Sequence, residues 1–135
     1  MIGVDTNVLI RVVLDDHPKE ASIARVLHSQ LVKKKKLFIS SYALLEMIWV
    51  LKVKGRSREE IYEAALDLLD SPGVIVGNRE IVVSALERYI KGKADFGDYL
   101  IHSEGEYHDT PKLASFDKFF CKKVAACQHP SEFCE

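Results

Sequence analysis

Short apolar runs alternate along the chain with longer stretches whose apolar positions recur at helical spacing. The short runs predict strands over residues 1–4, 37–39, 74–76, 112–115 and 124–126. Helical patterns occupy the segments between them. Parallel neighbours need long crossovers, which helices usually make. The pattern therefore predicts an α/β fold with a central parallel sheet of four to five strands and helices on both of its faces.

Several residues mark where the helices begin. Pro18 is suited to a first helical turn because its φ is already fixed near the helical value. Ser57 and Glu60 have the spacing of a capping box. Asn78 and Asp95 are predicted N-caps of two later helices. The apolar stripe from residue 81 to residue 90 indicates either an internal core or a subunit contact, and we assign it no chemistry.

Composition narrows the class of protein. The chain has 135 residues, 47% of them hydrophobic, which is enough for one domain with one core. Its 19 basic and 20 acidic side chains give a formal net charge of −1, so any contact with nucleic acid must be local. No apolar run approaches the roughly 20 residues of a membrane span, and the N-terminus lacks a basic leader. We expect a cytoplasmic protein with no membrane partner.

Three cysteines fall within the last fifteen residues, at positions 121, 127 and 134. Together with His129 they provide four possible zinc ligands, but they lack the close-spaced pairs of structural zinc sites. The odd count and the spacing do not indicate a disulfide framework. We expect free, reduced thiols.

Acidic residues follow the predicted strands. Asp5 ends the first strand, Glu46 lies about one turn into the helix after the second, and Asp117 follows the fourth. Asp95 and Asp98 have i, i+3 spacing, which places both on one face of a helix. Parallel sheets bind ligands at the carboxyl ends of their strands, so these acids are expected to converge.

Each acid also has a structural interpretation. Asp5, Asp95 and Asp117 each precede a predicted helix and can cap it. Glu46 lies in an otherwise uncharged segment, where a buried glutamate needs a partner such as a salt bridge. If the acids cluster, divalent cations would relieve their repulsion. Magnesium or manganese prefers oxygen ligands and can polarise a phosphate.

Four fragments in this order resemble the PIN-domain family. They are VDTNVLIR at 4–11, ISS at 39–41 with Glu46, DFGD at 95–98 and SFDK at 115–118. The subgroup that the chain resembles most is that of the VapC-type toxin ribonucleases of prokaryotic toxin–antitoxin modules. The resemblance covers residues 1–126, expected to form a PIN-like nuclease domain with a three-layer α/β/α fold. Residues 127–135 are expected to form a short tail.

The resemblance implies an endoribonuclease that depends on Mg²⁺ or Mn²⁺. Its catalytic residues would be Asp5, Glu46, Asp98 and Asp117. Asp5, Asp98 and Asp117 would bind metal, and Glu46 would position a water. Asp95, Asn7 and Ser115 would be accessory residues, and Arg11 and Lys118 are candidates for contacts with RNA phosphates.

The expected substrate is single-stranded or structured RNA, because unpaired segments can enter a pocket that a duplex cannot. The implied partners are an antitoxin protein and a second copy of the chain in a homodimer. Tyr99 departs from the family pattern, which has a small residue after the acid, so the shape of the groove is in question.

Two other functions are considered. A phosphohydrolase could use Asp5 as its nucleophile, although Asn7 stands where such enzymes of the haloacid-dehalogenase type carry a second acid. A PIN-like protein-binding module without significant catalysis is the other alternative, and the full set of acids argues against it.

Overall fold

The computed structural model describes residues 1–110 and 112–135. In chain order the elements are β1 (Ile2–Val4), α1 (Thr6–Val13), α2 (Pro18–Lys33), β2 (Leu37–Ile39), α3 (Ser41–Val53), α4 (Arg58–Leu69), β3 (Val74–Val76), α5 (Arg79–Lys91), α6 (Phe96–Tyr107), β4 (Leu113–Ala114), α7 (Lys118–Lys123), β5 (Cys127–Gln128) and a 3₁₀ helix (Pro130–Phe133). The chain divides into two compact units, residues 1–79 and 80–135. Strands alternate with helices in both units, as the apolar pattern predicted.

The first unit contains a parallel sheet in the order β1-β2-β3. A pair of helices connects each strand to the next, and Gly3, Phe38 and Ile75 lie side by side in register. The central strand β2 buries Leu37 and Ile39 almost completely. β1 is an edge strand of this sheet, and Ile2 is 49% exposed.

Side-chain caps set the helix starts in this unit. Asp5 caps α1 by accepting a 3.1 Å hydrogen bond from the Val8 amide. Ser57 and Glu60 form the predicted capping box of α4. The hydrogen bond that the Ser57 amide donates to the Glu60 carboxylate lowers the pKa of that carboxyl. α2 begins at Pro18, as predicted.

Two loop residues around β3 have left-handed backbone conformations. Gly73 has φ +89°, and a Cβ there would lie 2.6 Å from the Val32 carbonyl oxygen, so the approach to β3 requires glycine. Asn78 has φ +53°, whereas an N-cap residue has an extended conformation. The prediction that Asn78 is the N-cap of α5 is therefore wrong, because its backbone does not have the conformation of an N-cap residue.

The second unit contains a parallel pair of strands, β4 and β5, joined by α7. β5 lies at Cys127–Gln128, three residues after the predicted position. α7 ends at Lys123, and a turn in which the Cys127 amide donates to the Val124 carbonyl oxygen intervenes. Over the described residues, the strands thus form a sheet of three and a sheet of two instead of one central sheet. The segment expected to be a tail supplies β5 and the 3₁₀ helix.

The apolar stripe of α5 is buried within the chain. Its buried members are Ile81, Val82, Ala85, Leu86 and Tyr89. Of the two interpretations that the sequence left open, internal packing is the one observed. This stripe is not an exposed surface for a second subunit.

The cysteine prediction is corrected. Cys121 and Cys127 form a disulfide, with their Cα atoms 4.5 Å apart, because the turn after α7 brings β5 back alongside that helix. Cys134 is a free, exposed thiol. Two of the four possible zinc ligands are therefore bonded to each other. No helix among the described residues is long and apolar enough to cross a membrane.

Candidate functional site

In the first unit, Asp5 and Glu46 are linked through Thr6. Asp5 immediately follows β1, and Thr6 opens α1. The Thr6 hydroxyl donates a 2.9 Å hydrogen bond to Oε2 of Glu46 on α3. The structure therefore joins Glu46 to the residue that directly follows Asp5, although the two lie 40 positions apart in the sequence.

Glu46 is exposed, which corrects the expectation that it lies in an apolar environment. Position 46 falls on the solvent-facing side of α3, opposite the buried Leu44 and Met47. Its partner is the Thr6 hydroxyl and not the cation of a salt bridge. The sequence gave no direct signal for this role of Thr6, beyond its place next to Asp5.

The hydrogen bonds of these acids are compatible with cation binding. One oxygen of Asp5 accepts from the Val8 amide, and one oxygen of Glu46 accepts from Thr6. Within the described residues, the second oxygen of each carboxylate makes no hydrogen bond. Exposed carboxylate oxygens held in place in this way are suitable ligands for magnesium or manganese.

The face of α3 that carries Glu46 is also aromatic. Tyr42 lies one turn before Glu46 and is 76% exposed, while Trp49 lies nearly one turn after it and is 64% exposed. Spacings of four and three residues place all three side chains on the same side of the helix. Our sequence interpretation missed this surface. It could have been predicted from the sequence, because the two aromatic residues stand at helical spacing from Glu46.

Arg11 is engaged within the chain. Its guanidinium lies 3.2 Å from Asp16 and 3.3 Å from Glu20, and its side chain is half-buried. Asp16 also accepts a 2.8 Å hydrogen bond from Lys54, which lowers the pKa of the Asp16 carboxyl. These ion pairs account for Arg11 without RNA. Asn7 is exposed in the first turn of α1.

In the second unit, Asp117 has two local partners. Its amide donates a 3.0 Å hydrogen bond to the Ser115 hydroxyl. Its Oδ1 accepts a 3.0 Å hydrogen bond from the Phe120 amide at the start of α7. Ser115, a predicted accessory residue, thus contacts the backbone amide of Asp117. Lys118 is exposed at the first position of α7.

Asp95 and Asp98 lie at the start of α6. Asp95 occupies the N-cap position, but its side chain makes no capping hydrogen bond, so the predicted capping by its carboxylate is not observed. Asp98 is in the first helical turn and is half-buried. Of the two acids, only Asp98 is therefore within the helix, because Asp95 has an extended backbone just before it.

Tyr99 has a structural role. Its side chain is buried, and its hydroxyl oxygen accepts 3.2 Å hydrogen bonds from the amides of Lys93 and Ala94. It lies directly against Gly92, where a Cβ would come within 1.9 Å of the same oxygen. The large residue after Asp98 thus stabilises the turn between α5 and α6.

The candidate acids are divided between the units. Asp5 and Glu46 belong to the first, and Asp95, Asp98 and Asp117 to the second. Within either unit, no three described His, Cys, Asp or Glu side chains are grouped so that they could hold a metal ion by themselves. The donors present are all carboxylates, which are the hard oxygen ligands that magnesium and manganese take.

The fold places this chain in the class of α/β proteins with parallel strands. Exposed carboxylates follow the carboxyl ends of two of the strands. The family model of the PIN domain matches residues 2–125. The chain belongs to the PIN-domain family. PIN domains are generally metal-dependent nucleases, which places the chain, at this coarse level, among the hydrolases of nucleic acid. No curated protein matches the sequence.

Proposed function

We propose that this protein is a metal-dependent endoribonuclease that cleaves unpaired segments of RNA. The observation that carries the proposal is the Thr6–Glu46 hydrogen bond, which holds an exposed glutamate against the residue that follows Asp5 at the end of the first strand. Family membership supports the same chemistry.

The proposed roles of the acids are those that the resemblance to PIN domains implies. Asp5, Asp98 and Asp117 are the metal ligands, with Asp95, Asn7 and Ser115 in accessory positions. A bound divalent ion supplies Lewis-acid polarisation of the scissile phosphate and neutralises its charge. Oε2 of Glu46 is held by Thr6, so Oε1 is the oxygen available to orient a water and accept its proton.

The test is incubation of the purified protein with structured and unstructured RNAs in magnesium, in manganese or in EDTA. We expect cleavage of unstructured RNA with either metal and none in EDTA, because four carboxylates cannot approach a phosphate without cations. Product ends mapped by sequencing would show internal cuts. Equal cleavage with and without EDTA would exclude the proposed mechanism.

The exposed aromatic side chains beside Glu46 favour single-stranded substrates. Unpaired bases stack on aromatic rings, and such stacking needs no particular sequence. Tyr42 and Trp49 flank Glu46 on one helix face, so a base on either ring would place the RNA backbone near the carboxylate. Lys118 remains a proposed phosphate contact, whereas Arg11 is already paired with Asp16 and Glu20.

Trp49→Ala is expected to weaken binding of an unstructured RNA roughly tenfold, since stacking contributes about 1–3 kcal/mol per base. Fluorescence anisotropy with a labelled oligonucleotide, in EDTA, measures this without cleavage. The matched control is Ile23→Ala on α2, which removes a similarly exposed apolar side chain at 63% exposure. Equal losses from the two substitutions would refute a stacking role.

Two alternatives give different results in the same assays. A phosphohydrolase would release phosphate from small phosphate esters and leave RNA intact. A binding module would bind a partner and cleave neither substrate. A phosphohydrolase of the haloacid-dehalogenase type would also carry a second acid two residues after Asp5, and residue 7 is Asn.

We further propose that the protein is the toxin of a toxin–antitoxin module, acts in the cytoplasm, and has an antitoxin as partner. The four sequence fragments that resemble VapC-type toxins support this. A neighbouring small open reading frame whose product inhibits cleavage would test it. A homodimer is also proposed, and analytical ultracentrifugation would measure it. Because the α5 stripe is internal, such a dimer needs another surface.

A further inference from the structure

The second unit contains a cavity of about 470 Å³ lined by parts of α5, α6 and the end of α7. We call it the basic pocket and define it by Ser84, Arg88, Lys91, Tyr99, His102 and Lys123. Three of these six residues are basic, and Glu87 is the one acidic residue that also lines the cavity. The candidate carboxylates do not line it.

Arg88 and Ser84, which line the basic pocket, belong to a network of polar side chains. Ser103 is 4% exposed, and its hydroxyl lies 3.3 Å from that of Ser84 and accepts 3.0 Å from Arg88. Arg88 also forms an ion pair with Glu106. Because Ser103 and Glu106 both lie on α6, they fix the orientation of a guanidinium carried by α5. Arginine has five N–H donors, so further donors remain for a ligand.

The two lysines of the basic pocket differ from Arg88. Lys91 and Lys123 are exposed, and neither forms an ion pair with the residues that the structure describes. Lys123 also lies 5.9 Å from the ring centroid of Phe119, a cation–π contact on its own helix. Helix C-termini favour lysines in general. Here, however, two of them face one cavity that also contains an oriented arginine and a serine hydroxyl.

His102 completes the wall of the basic pocket. It is 8% exposed, and its pKa is lowered by burial and by the nearby Arg88 cation, with Glu106 acting in the opposite direction. Its Nε2 lies 3.6 Å from Glu106. Because the imidazole lines the cavity, we expect a ligand bound there to shift its resonances.

We propose that the basic pocket binds a phosphate group, either a phosphodiester of RNA or a free phosphate. Two ammonium groups supply charge, and Arg88 and Ser84 supply oriented donors. This combination matches a tetrahedral oxyanion. The inference goes beyond the proposed cleavage chemistry and does not need it, because the pocket lies within the second unit and none of its residues is a candidate metal ligand.

The chain provides a closely matched comparison. The test variant is K91Q/K123Q, in which both pocket lysines lose their charge. The control is K93Q/K122Q, which removes the same charge from exposed lysines adjacent in sequence that do not line the cavity. Lys122 shares the last turn of α7 with Lys123, so the two variants affect the end of that helix similarly.

Binding is measured in EDTA, so that failure of cleavage cannot be mistaken for failure of the basic pocket. The probes are inorganic phosphate and a ten-nucleotide oligouridylate. Binding of each probe is measured by calorimetry and by the shift of the His102 imidazole resonances. We expect saturable binding by the natural protein. The affinity should fall roughly tenfold or more in K91Q/K123Q and change by less than about twofold in K93Q/K122Q.

The two probes distinguish the sources of phosphate. If the oligouridylate binds and inorganic phosphate displaces it, the ligand is the RNA backbone. If inorganic phosphate binds and the oligouridylate does not, the ligand is a small anion. The proposal is overturned if neither probe shifts His102, or if the two double variants weaken binding equally. Equal weakening would mean that only general surface charge is involved.

Discussion

Asp5→Asn is expected to reduce metal-dependent RNA cleavage by at least about 100-fold while leaving the protein as stable as before. The carboxylate is a proposed metal ligand, and loss of its charge removes several kcal/mol of transition-state stabilisation, where each 1.4 kcal/mol is a factor of ten. Asp5 also caps α1 through the Val8 amide. Asparagine is as good an N-cap as aspartate, so the substitution separates the two roles.

Three further variants complete the experiment. Asp5→Ala should lose cleavage and also about 1 kcal/mol of stability, because alanine cannot cap α1. Asp117→Asn should behave like Asp5→Asn, since Asp117 caps α7 in the same way. Asp67→Asn on α4, an exposed aspartate outside the candidate set, is the control. Each protein is assayed for cleavage in magnesium and for unfolding by circular dichroism.

The stability measurement decides how an inactive variant is interpreted. If Asp5→Asn cleaves RNA normally in magnesium, Asp5 is a cap and nothing more, and the proposed metal site is wrong. Asp98→Asn, on the helix that begins after Asp95, tests the second unit of the chain independently. Its cleavage should fall by the same order of magnitude as that of Asp5→Asn.

Gly92→Ala is expected to lower the free energy of unfolding by about 3 kcal/mol, and the melting temperature by roughly 10 °C. The added Cβ would lie 1.9 Å from the Tyr99 hydroxyl oxygen and 2.9 Å from the Arg88 carbonyl oxygen. The tyrosine would have to move, and the amides of Lys93 and Ala94 would lose their acceptor. Chemical denaturation measures the loss.

Gly3→Ala is the control, because its Cβ would make only an ordinary 3.8 Å contact with Phe38. A double-mutant cycle then isolates the steric conflict. Tyr99→Phe alone should cost about 1–2 kcal/mol for the lost acceptor. In the Gly92→Ala protein it should cost clearly less, because phenylalanine lacks the oxygen nearest the new Cβ. Simple additivity of the two effects would show that Gly92 and Tyr99 do not interact in this way.

The local signals in the sequence were reliable where one residue and its immediate neighbours determine the outcome. The capping box of Ser57 and Glu60 and the helix start at Pro18 both depend on backbone chemistry over four residues or fewer. Asn78 was misjudged because its short polar side chain suits an N-cap and the left-handed region equally well. The cysteine pair was missed because a turn after α7, with no strong sequence signal, brings Cys127 back to Cys121.

For the candidate acids too, the sequence predicted local features but not those that depend on packing. Position in the sequence predicted that Asp5 and Asp117 follow strands, because strand ends can be read from apolar runs. It could not predict that Glu46 is exposed, since the burial of a helix face depends on which neighbours pack against it. Nor could it predict the Thr6–Glu46 hydrogen bond, which joins residues 40 positions apart.

By itself, the sequence determined the alternation of strands and helices, the acids at the strand ends and membership of the PIN-domain family. These depend on hydrophobic periodicity and on motifs of adjacent residues. Only the tertiary structure decided that Trp49 and Tyr42 flank Glu46 on an exposed face, that the α5 stripe is internal, and that Arg88, Lys91 and Lys123 share a cavity. The physical reason is that the exposure of a helix face, and contacts between helices distant in sequence, both depend on which elements pack together, and a periodic pattern does not specify its packing partner.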